Sequence, residues 1–133
     1  MGENRLYKSE KLCSKLEIER LYAQGSSIIA YPLRAVWIAV PSQEEKHTVA
    51  ARFLISIPKK RIRHAVDRVL LRRRTRESYR LNRHLLDEVV TQGKTVLIGF
   101  NWLANHEYNY TTIERSMQEL LSKIAEAITN QPQ

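Results

Sequence analysis

The sequence predicts an α+β fold, a single-domain α/β sandwich in which helices pack on one small sheet. Residues 27–40 and 48–57 are rich in β-forming residues, and KTVLIGF at 94–100 is almost entirely apolar. A long basic helix is predicted over 65–90, and an amphipathic helix over 110–128. With a short helix before the first strand, the element order is about α-β-β-α-β-α. The first β region is either one strand or two.

The chain has 133 residues, a length that suits one domain with its own core. We predict a single domain over 1–133, with residues 1–11 and 129–133 as mobile tails. The one cysteine, Cys13, excludes an internal disulfide and fits a reducing compartment. No apolar run reaches the roughly 20 residues of a membrane span, and the N-terminus lacks the apolar core of a signal peptide. We therefore expect a cytoplasmic protein with no membrane partner.

Capping residues bound the first predicted helix. Ser14 is its expected N-cap, with Glu17 as the capping-box partner three residues later, and Gly25 is its expected C-terminal stop. Ile18 and Tyr22 share one face of this helix.

The other elements follow from the apolar pattern. The strands at 27–40 and 48–57 are predicted to pair as an antiparallel hairpin around the polar loop at 41–47. The run at 94–100 predicts a strand buried on both faces. The last helix has an apolar stripe formed by Ile113, Met117, Leu120, Leu121, Ile124 and Ile128.

The positive charge is concentrated in one segment. The chain has a net charge of +8. Between residues 59 and 83, eleven Lys and Arg residues accompany two acids, Asp67 and Glu77, so the segment carries +9 and the remainder −1. A local basic patch of this kind is typical of proteins that bind nucleic acid.

A step of 100° per residue divides the basic helix into two sides. The side predicted to pack on the sheet carries Val66, Leu70, Leu81 and Leu85. The other side carries guanidinium groups, those of Arg68, Arg72, Arg73, Arg76, Arg80 and Arg83.

Two residues lie apart from this division. Glu77 is placed to neutralise Arg73 or Arg80 at helical spacing. Arg74 falls on the apolar side, where it either extends its aliphatic stem towards solvent or pairs with Glu77.

Six like charges on one face repel one another, whereas ordinary surface helices mix both signs. Such a face suits a polyanion, because planar guanidinium groups can bind phosphate oxygens with two hydrogen bonds. The sequence has no zinc-ligand spacing, helix-turn-helix pair or aromatic RNP strand, and the helix has few base-reading Asn or Gln residues. The pattern therefore favours the phosphates of folded RNA over a DNA groove.

These features resemble the protein subunit family of bacterial ribonuclease P, from about residue 4 to residue 128. NRLYKSEKL and the helix ending in LYAQG are similar to the family's first helix, and ISIPKK to its strand ending in Ser-x-x-Lys-Lys. AVDRVLLRRRTRESYR is similar to the signature helix, which usually reads Ala-Val-x-Arg-Asn-Arg-x-Lys-Arg-x-x-Arg-Glu. The matching positions are Arg68, Arg72, Arg73, Arg76 and Glu77, with Arg72 in place of the usual Lys.

The chain departs from the family pattern at three places. Val69 and Leu70 stand where the family usually has Asn and Arg. Ile18 stands at the first of two aromatic positions on the first helix, and Tyr22 keeps the second. The connector over residues 60–65 is one residue longer than in many members.

The resemblance implies an endoribonuclease subunit that is inert alone and has no catalytic residue of its own. The implied partners are ribonuclease P RNA and precursor tRNA. The RNA removes the 5′ leader with Mg²⁺, which it mainly holds itself, and no protein ligand or small-molecule cofactor is implied. The family fold also implies a left-handed βαβ crossover.

The resemblance also implies two sets of site residues. Those that would bind the catalytic RNA are Lys59, Lys60, Arg61, Arg63, Arg68, Arg72, Arg73, Arg76, Arg80 and Arg83. Those that would line a cleft for the single-stranded leader are Ile18, Tyr22, Arg52, Leu54 and Ser56.

Three functions stay open on the residues alone. The first is the protein subunit of an RNA enzyme that matures tRNA. The second is a general structured-RNA-binding or ribosome-associated protein, which would lack a leader cleft. The third is a protein-only enzyme, although the sequence has no Gly-rich phosphate loop and no paired-His metal motif.

Overall fold

The computed structural model describes residue 6, residues 10–41 and residues 49–130. The elements confirm the predicted α+β class, with the first β region split in two. In chain order they are α1 (Lys15–Gln24), β1 (Ser26–Ala30), β2 (Leu33–Pro41), β3 (Ala51–Ser56), α2 (Ala65–Asn82), a 3-10 turn (Arg83–Leu86), α3 (Asp87–Thr91), β4 (Lys94–Trp102) and α4 (Tyr110–Thr129).

The four strands form one sheet in the order β1-β2-β4-β3. β1 pairs with β2 and β2 with β4, both antiparallel, whereas β3 pairs with β4 in parallel. The predicted hairpin between 27–40 and 48–57 is therefore wrong, because β4 lies between the two segments. The predicted loop lies outside the described residues, apart from Pro41.

β4 is one of the two inner strands of the sheet. Its residues 95–100 are all buried, because a strand with a neighbour on each edge and helices on both faces has little contact with water. The parallel pairing of β3 with β4 requires a long crossover, and α2, the 3-10 turn and α3 supply it. The left-handed sense implied by the family resemblance stays a prediction.

Helices cover both faces of the sheet. On one face, α2 and α4 enclose the larger core, in which the rings of Phe53 and Tyr79 lie 4.3 Å apart. All six residues of the predicted α4 stripe are buried there. On the other face, Leu21 of α1 packs with Val36 and Leu97 in a smaller core.

The predicted ends of α1 are confirmed. The hydroxyl of Ser14 accepts a hydrogen bond from the backbone N–H of Glu17 at 3.3 Å. The N–H of Gly25 donates to the carbonyl of Leu21 at 2.8 Å. The Glu17 carboxylate does not complete a capping box. It pairs instead with Arg52 of β3, at 3.1 Å.

The extent of the basic helix differs from the prediction. α2 ends at Asn82, and the chain continues through the 3-10 turn and α3 to Thr91. Gly93 follows with a positive φ of 71°, which is the left-handed conformation expected of a glycine beyond a helix.

The predicted packing side of the basic helix is wrong. Val66 is 79% exposed and Leu81 is 38% exposed. The helix packs with a different side towards the core. Three of the buried positions on that side are polar, so a search for apolar residues does not find them. The buried residues are Leu71, Thr75, Ser78, Tyr79 and Asn82.

Residues 10–12, which we call the N-terminal segment, are packed on the sheet before the first helix begins. Lys11 forms a parallel bridge with Phe53, and the N–H of Leu12 donates to the carbonyl of Phe53 at 2.9 Å. The packed part of the chain thus includes residues 10 and 11, which the sequence had placed in a mobile tail. Most of both predicted tails lies outside the described residues. In the part of the chain that the structure describes, no helix is long and apolar enough to cross a membrane.

Candidate nucleic-acid interface

A predominantly positive surface runs along the connector before α2 and along α2 as far as Arg76. Six of its cationic side chains make no hydrogen bond or ion pair to another residue within 10–41 and 49–130. We call them the open cations: Lys59, Lys60, Arg63, Arg72, Arg73 and Arg76. Five are exposed and Arg72 is half-buried. Since nothing in the described part of the chain neutralises them, their charge is available to a polyanion.

Two other predicted RNA-binding residues hold the connector in place. Nη1 of Arg68 donates to the carbonyls of Ile62 at 3.0 Å and Arg63 at 2.9 Å, which fixes the turn that enters α2. Arg61 donates to Oδ1 of Asn105 at 3.3 Å and joins the connector to the loop after β4. Both arginines therefore have a structural role beside any contact with RNA.

Of the two arginines that Glu77 was predicted to neutralise, it pairs with Arg80. The Glu77 carboxylate pairs with Arg80 at 2.6 Å, and this hydrogen bond lowers the pKa of Glu77 below its usual value. Arg74 follows neither predicted alternative. Its guanidinium donates to the carbonyl of Tyr108 at 2.7 Å and ties the helix to the loop before α4.

Arg83 pairs with Glu10 across 73 residues of sequence. The arginine side chain is 15% exposed and the glutamate side chain 5%, so this ion pair is largely shielded from water. It joins the N-terminal segment to the end of α2. Burial raises the pKa of the neighbouring Tyr79 above its usual value, and the charge of Glu10 adds to the effect.

The residues predicted for the leader cleft come together on the sheet face that α1 crosses. The hydroxyl of Tyr22 donates to Oδ1 of Asn101 at 3.0 Å. A Cβ at Gly99 would lie 2.4 Å from that hydroxyl oxygen, so the absent side chain makes room for the tyrosine. Burial raises the pKa of Tyr22, while the hydrogen bond to Asn101 and the charge of Arg34 oppose this rise. Tyr22 is nevertheless 43% exposed.

The other predicted cleft residues play different parts on this face. Ile18 and Leu54 pack on the smaller core and help to fix α1 against β3. Arg52 is held by Glu17. Ser56 lies opposite Asn101 in the parallel register and is half-buried, so it is beside the tyrosine contact.

Two cleft residues were missed by the sequence reasoning. Asn101 of β4 and Arg34 of β2 are partners in the antiparallel register, and Arg34 is exposed beside Tyr22. They were missed because the pairing of β2 with β4 was not predicted. With that pairing, the alternation of β2 would have placed Arg34 on the cleft face.

No protein metal site is assigned. Among the described residues there is no group of three or more His, Cys, Asp or Glu side chains that could hold a metal ion. Several acidic side chains already have partners, as Glu10, Glu17 and Glu77 show.

An α+β domain whose sheet is covered by helices on both faces, with an arginine surface on its crossover helix and an exposed tyrosine on the sheet face that α1 crosses, defines a class of small proteins suited to a polyanion. The family model described as Ribonuclease P matches residues 6–125. A curated relative from Porphyromonas gingivalis, named Ribonuclease P protein component, is 38% identical over 122 residues, which cover 90% of this chain and 86% of the relative. A relative of the same name from Chlorobaculum tepidum is 26% identical over 132 residues, with 96% and 85% coverage.

Solved structures show the same fold. The Staphylococcus aureus RNase P protein at 2.0 Å superposes with a TM-score of 0.57 at 21% identity, and the match covers 90% of this chain and 97% of that one. Together with the family match, these relatives show that the chain belongs to the ribonuclease P protein component family. Its role is that of a subunit in tRNA 5′ processing.

Proposed function

We propose that this protein binds ribonuclease P RNA through its open cations and guides the 5′ leader of precursor tRNA over the cleft beside Tyr22. The observation that carries the proposal is the set of six open cations on one continuous part of the chain, five of them exposed. Six unneutralised charges of one sign destabilise an isolated domain, and a polyanionic partner removes that repulsion.

The cleft supplies the second contact. A base of single-stranded RNA stacks favourably on an exposed tyrosine ring, with a contribution of about 1–3 kcal/mol. Arg34 and Asn101 flank that ring and offer a cation and an amide to the same strand. The leader contact distinguishes the proposal from the alternative of a general structured-RNA-binding protein. Such a protein would require the open cations but no cleft.

The chemistry is proposed to reside in the RNA partner, with Mg²⁺ held mainly by that RNA. The protein's part is to bind and orient the RNA chains, and to neutralise phosphates that would otherwise demand more Mg²⁺. The same proposal places the protein in the cytoplasm together with its precursor-tRNA substrate.

The test is cleavage of precursor tRNA at low Mg²⁺ by a bacterial ribonuclease P RNA, with and without this protein. We expect the protein alone to be inert and the mixture to cleave faster than the RNA alone. Binding of the RNA without any change in cleavage would favour the general RNA-binding alternative. Cleavage by the protein alone would overturn the assignment of the chemistry to RNA.

A further inference from the structure

A groove of about 460 Å³ lies at the outer edge of β3, between the N-terminal segment and α2. It shares Leu54 with the predicted leader cleft, but neither Tyr22 nor Asn101 lines it. We call it the edge groove. Its lining residues are Leu6, Glu10, Lys11, Leu12, Phe53, Leu54, Ile55, Arg72 and Arg76.

The floor of the edge groove is apolar. Phe53 and Ile55 lie on the face of β3 that packs on the larger core, and Leu6 packs against the same core from the N-terminal side. Phe53 is held by its ring contact with Tyr79. A flat aromatic ligand would bury apolar surface here against side chains that are already fixed.

The rim of the edge groove is positively charged. Arg72 and Arg76 are two of the open cations, one helical turn apart, and Lys11 is exposed on the opposite rim. The one acid of the groove is Glu10, and the guanidinium of Arg83 neutralises it. The net charge therefore favours a ligand with an anionic group beside its apolar part.

The β3 edge adds backbone hydrogen-bonding groups. The carbonyl of Phe53 points away from β4 and accepts from the N–H of Leu12 at 2.9 Å. Because backbone groups alternate in direction along a strand, the N–H and C=O of Ile55 point to the same outer edge. A donor and an acceptor thus lie beside the apolar floor, where the edge of a nucleobase can meet them.

We propose that the edge groove binds one unpaired base of the RNA partner, with the adjoining phosphates on Arg72 and Arg76. The inference rests on the proposed function for the identity of the partner. The edge groove would recognise an extruded base, in addition to the phosphates that the arginines of α2 would bind. An apolar peptide could pack on the floor but has no phosphates for the arginines of the rim.

The first test fills the groove without altering its charge. Ile55→Trp places an indole where the base would lie, and Leu16→Trp adds the same group at a side chain that is 77% exposed on α1 and does not line the groove. With a bacterial ribonuclease P RNA, we expect Ile55→Trp to lower the affinity roughly tenfold, the effect of losing one stacked base, with an unchanged salt slope. Leu16→Trp should leave the affinity unchanged.

The second test locates the base. Chemical probing of base edges should show one unpaired nucleotide of that RNA protected by the wild-type protein and by Leu16→Trp, and exposed again with Ile55→Trp. A photo-crosslinker on Lys11→Cys, in a Cys13→Ser background, should react at the same nucleotide. Lys11 is exposed, so this probe does not depend on the tolerance of the groove for an indole.

The outcomes separate this inference from the proposed function. If the RNA does not bind the wild-type protein, the proposed function fails. If it binds, but Ile55→Trp changes neither affinity nor protection and Lys11→Cys crosslinks only to paired nucleotides, the edge groove is not a base site and the proposed function stands.

Discussion

The hydroxyl of Tyr22 is hydrogen-bonded to Asn101 at 3.0 Å, and the tyrosine lies where a side chain at residue 99 would stand. The contact joins α1 to β4 on the sheet face where the leader cleft is proposed. It makes the position of the tyrosine ring dependent on a glycine of β4.

The close approach of Tyr22 to Gly99 predicts a coupled pair of substitutions. Gly99→Ala places a Cβ 2.4 Å from the tyrosine oxygen and 2.9 Å from Cζ, so the ring must move. We expect a loss of about 1–3 kcal/mol in the free energy of unfolding, measured by urea denaturation. In a Tyr22→Ala background the same alanine should cost much less. Equal costs in both backgrounds would show that the strain does not come from the tyrosine.

Removal of the Tyr22 ring should weaken leader binding. We expect Tyr22→Ala to lower the affinity of the assembled ribonucleoprotein for precursor tRNA by roughly tenfold, because one base loses its stacking surface. The affinity for mature tRNA, which has no leader, should not change. Tyr22→Phe keeps the ring and should retain most of the affinity. A similar loss for both tRNAs would place the tyrosine outside the leader contact.

Arg72 and Arg76 should carry part of the salt dependence of RNA binding. Arg72→Ala with Arg76→Ala removes two phosphate contacts, which lowers the log–log salt slope by about 1.4–1.8. The measurement is the dissociation constant for ribonuclease P RNA over a range of salt concentrations. The matched control, Arg115→Ala with Lys123→Ala, removes the same charge from α4 and should keep the wild-type slope. An unchanged slope in the first variant would exclude these two arginines from the docking surface.

The ion pair of Glu10 with Arg83 should stabilise the N-terminal segment. Glu10→Ala leaves the guanidinium of Arg83 in a largely buried position without its carboxylate, at a cost of about 3 kcal/mol in unfolding free energy. Glu10→Met combined with Arg83→Met should recover most of that loss, because both charges are then gone. Urea denaturation of the single and double variants measures both effects. A double variant no more stable than Glu10→Ala would assign the loss to packing.

Tyr110 should make stability fall at alkaline pH. Burial, together with the hydrogen bond to Glu114, raises the pKa of Tyr110 to about 12 from its usual 10.0. The neutral hydroxyl therefore stabilises the fold below pH 10, and this contribution is lost as pH rises from 10 to 12. Tyr110→Phe should have a flatter decline of unfolding free energy over that interval. Parallel declines for the two proteins would contradict the assignment to this hydroxyl.

The elements that the sequence predicts well are those whose signals are local. The caps Ser14 and Gly25 bound α1 as expected, and the α4 stripe is buried as expected. The sequence allowed the first β region to be one strand or two. The structure shows two, β1 and β2, separated by a turn at Tyr31 and Pro32. The order of strands was not accessible, because an apolar run such as 94–100 indicates burial but does not say which strands flank it.

The inner side of α2 escaped prediction for a different reason. Thr75 is buried with its hydroxyl donating to the carbonyl of Leu71, and Ser78 donates to the carbonyl of Thr75, each at 2.7 Å. Asn82 donates to the carbonyl of Ser78 at 2.8 Å. Polar side chains satisfied within their own helix can face a core, and an apolar count does not find them. The grouping of the arginines on one side of the helix was predicted from the sequence. The hydrogen-bond partners of Arg61, Arg68 and Arg83 could be identified only in the three-dimensional structure.

The inner position of β4 has a consequence for the order of synthesis. The strands β2 and β3 precede β4 in the chain but do not pair with each other, because residues 94–102 lie between them in the sheet. A nascent chain that ends before residue 94 has only the β1–β2 hairpin as paired sheet. The sheet therefore cannot assemble progressively from its N-terminus, and the arginine helix is synthesised before β4, the strand on which β3 pairs.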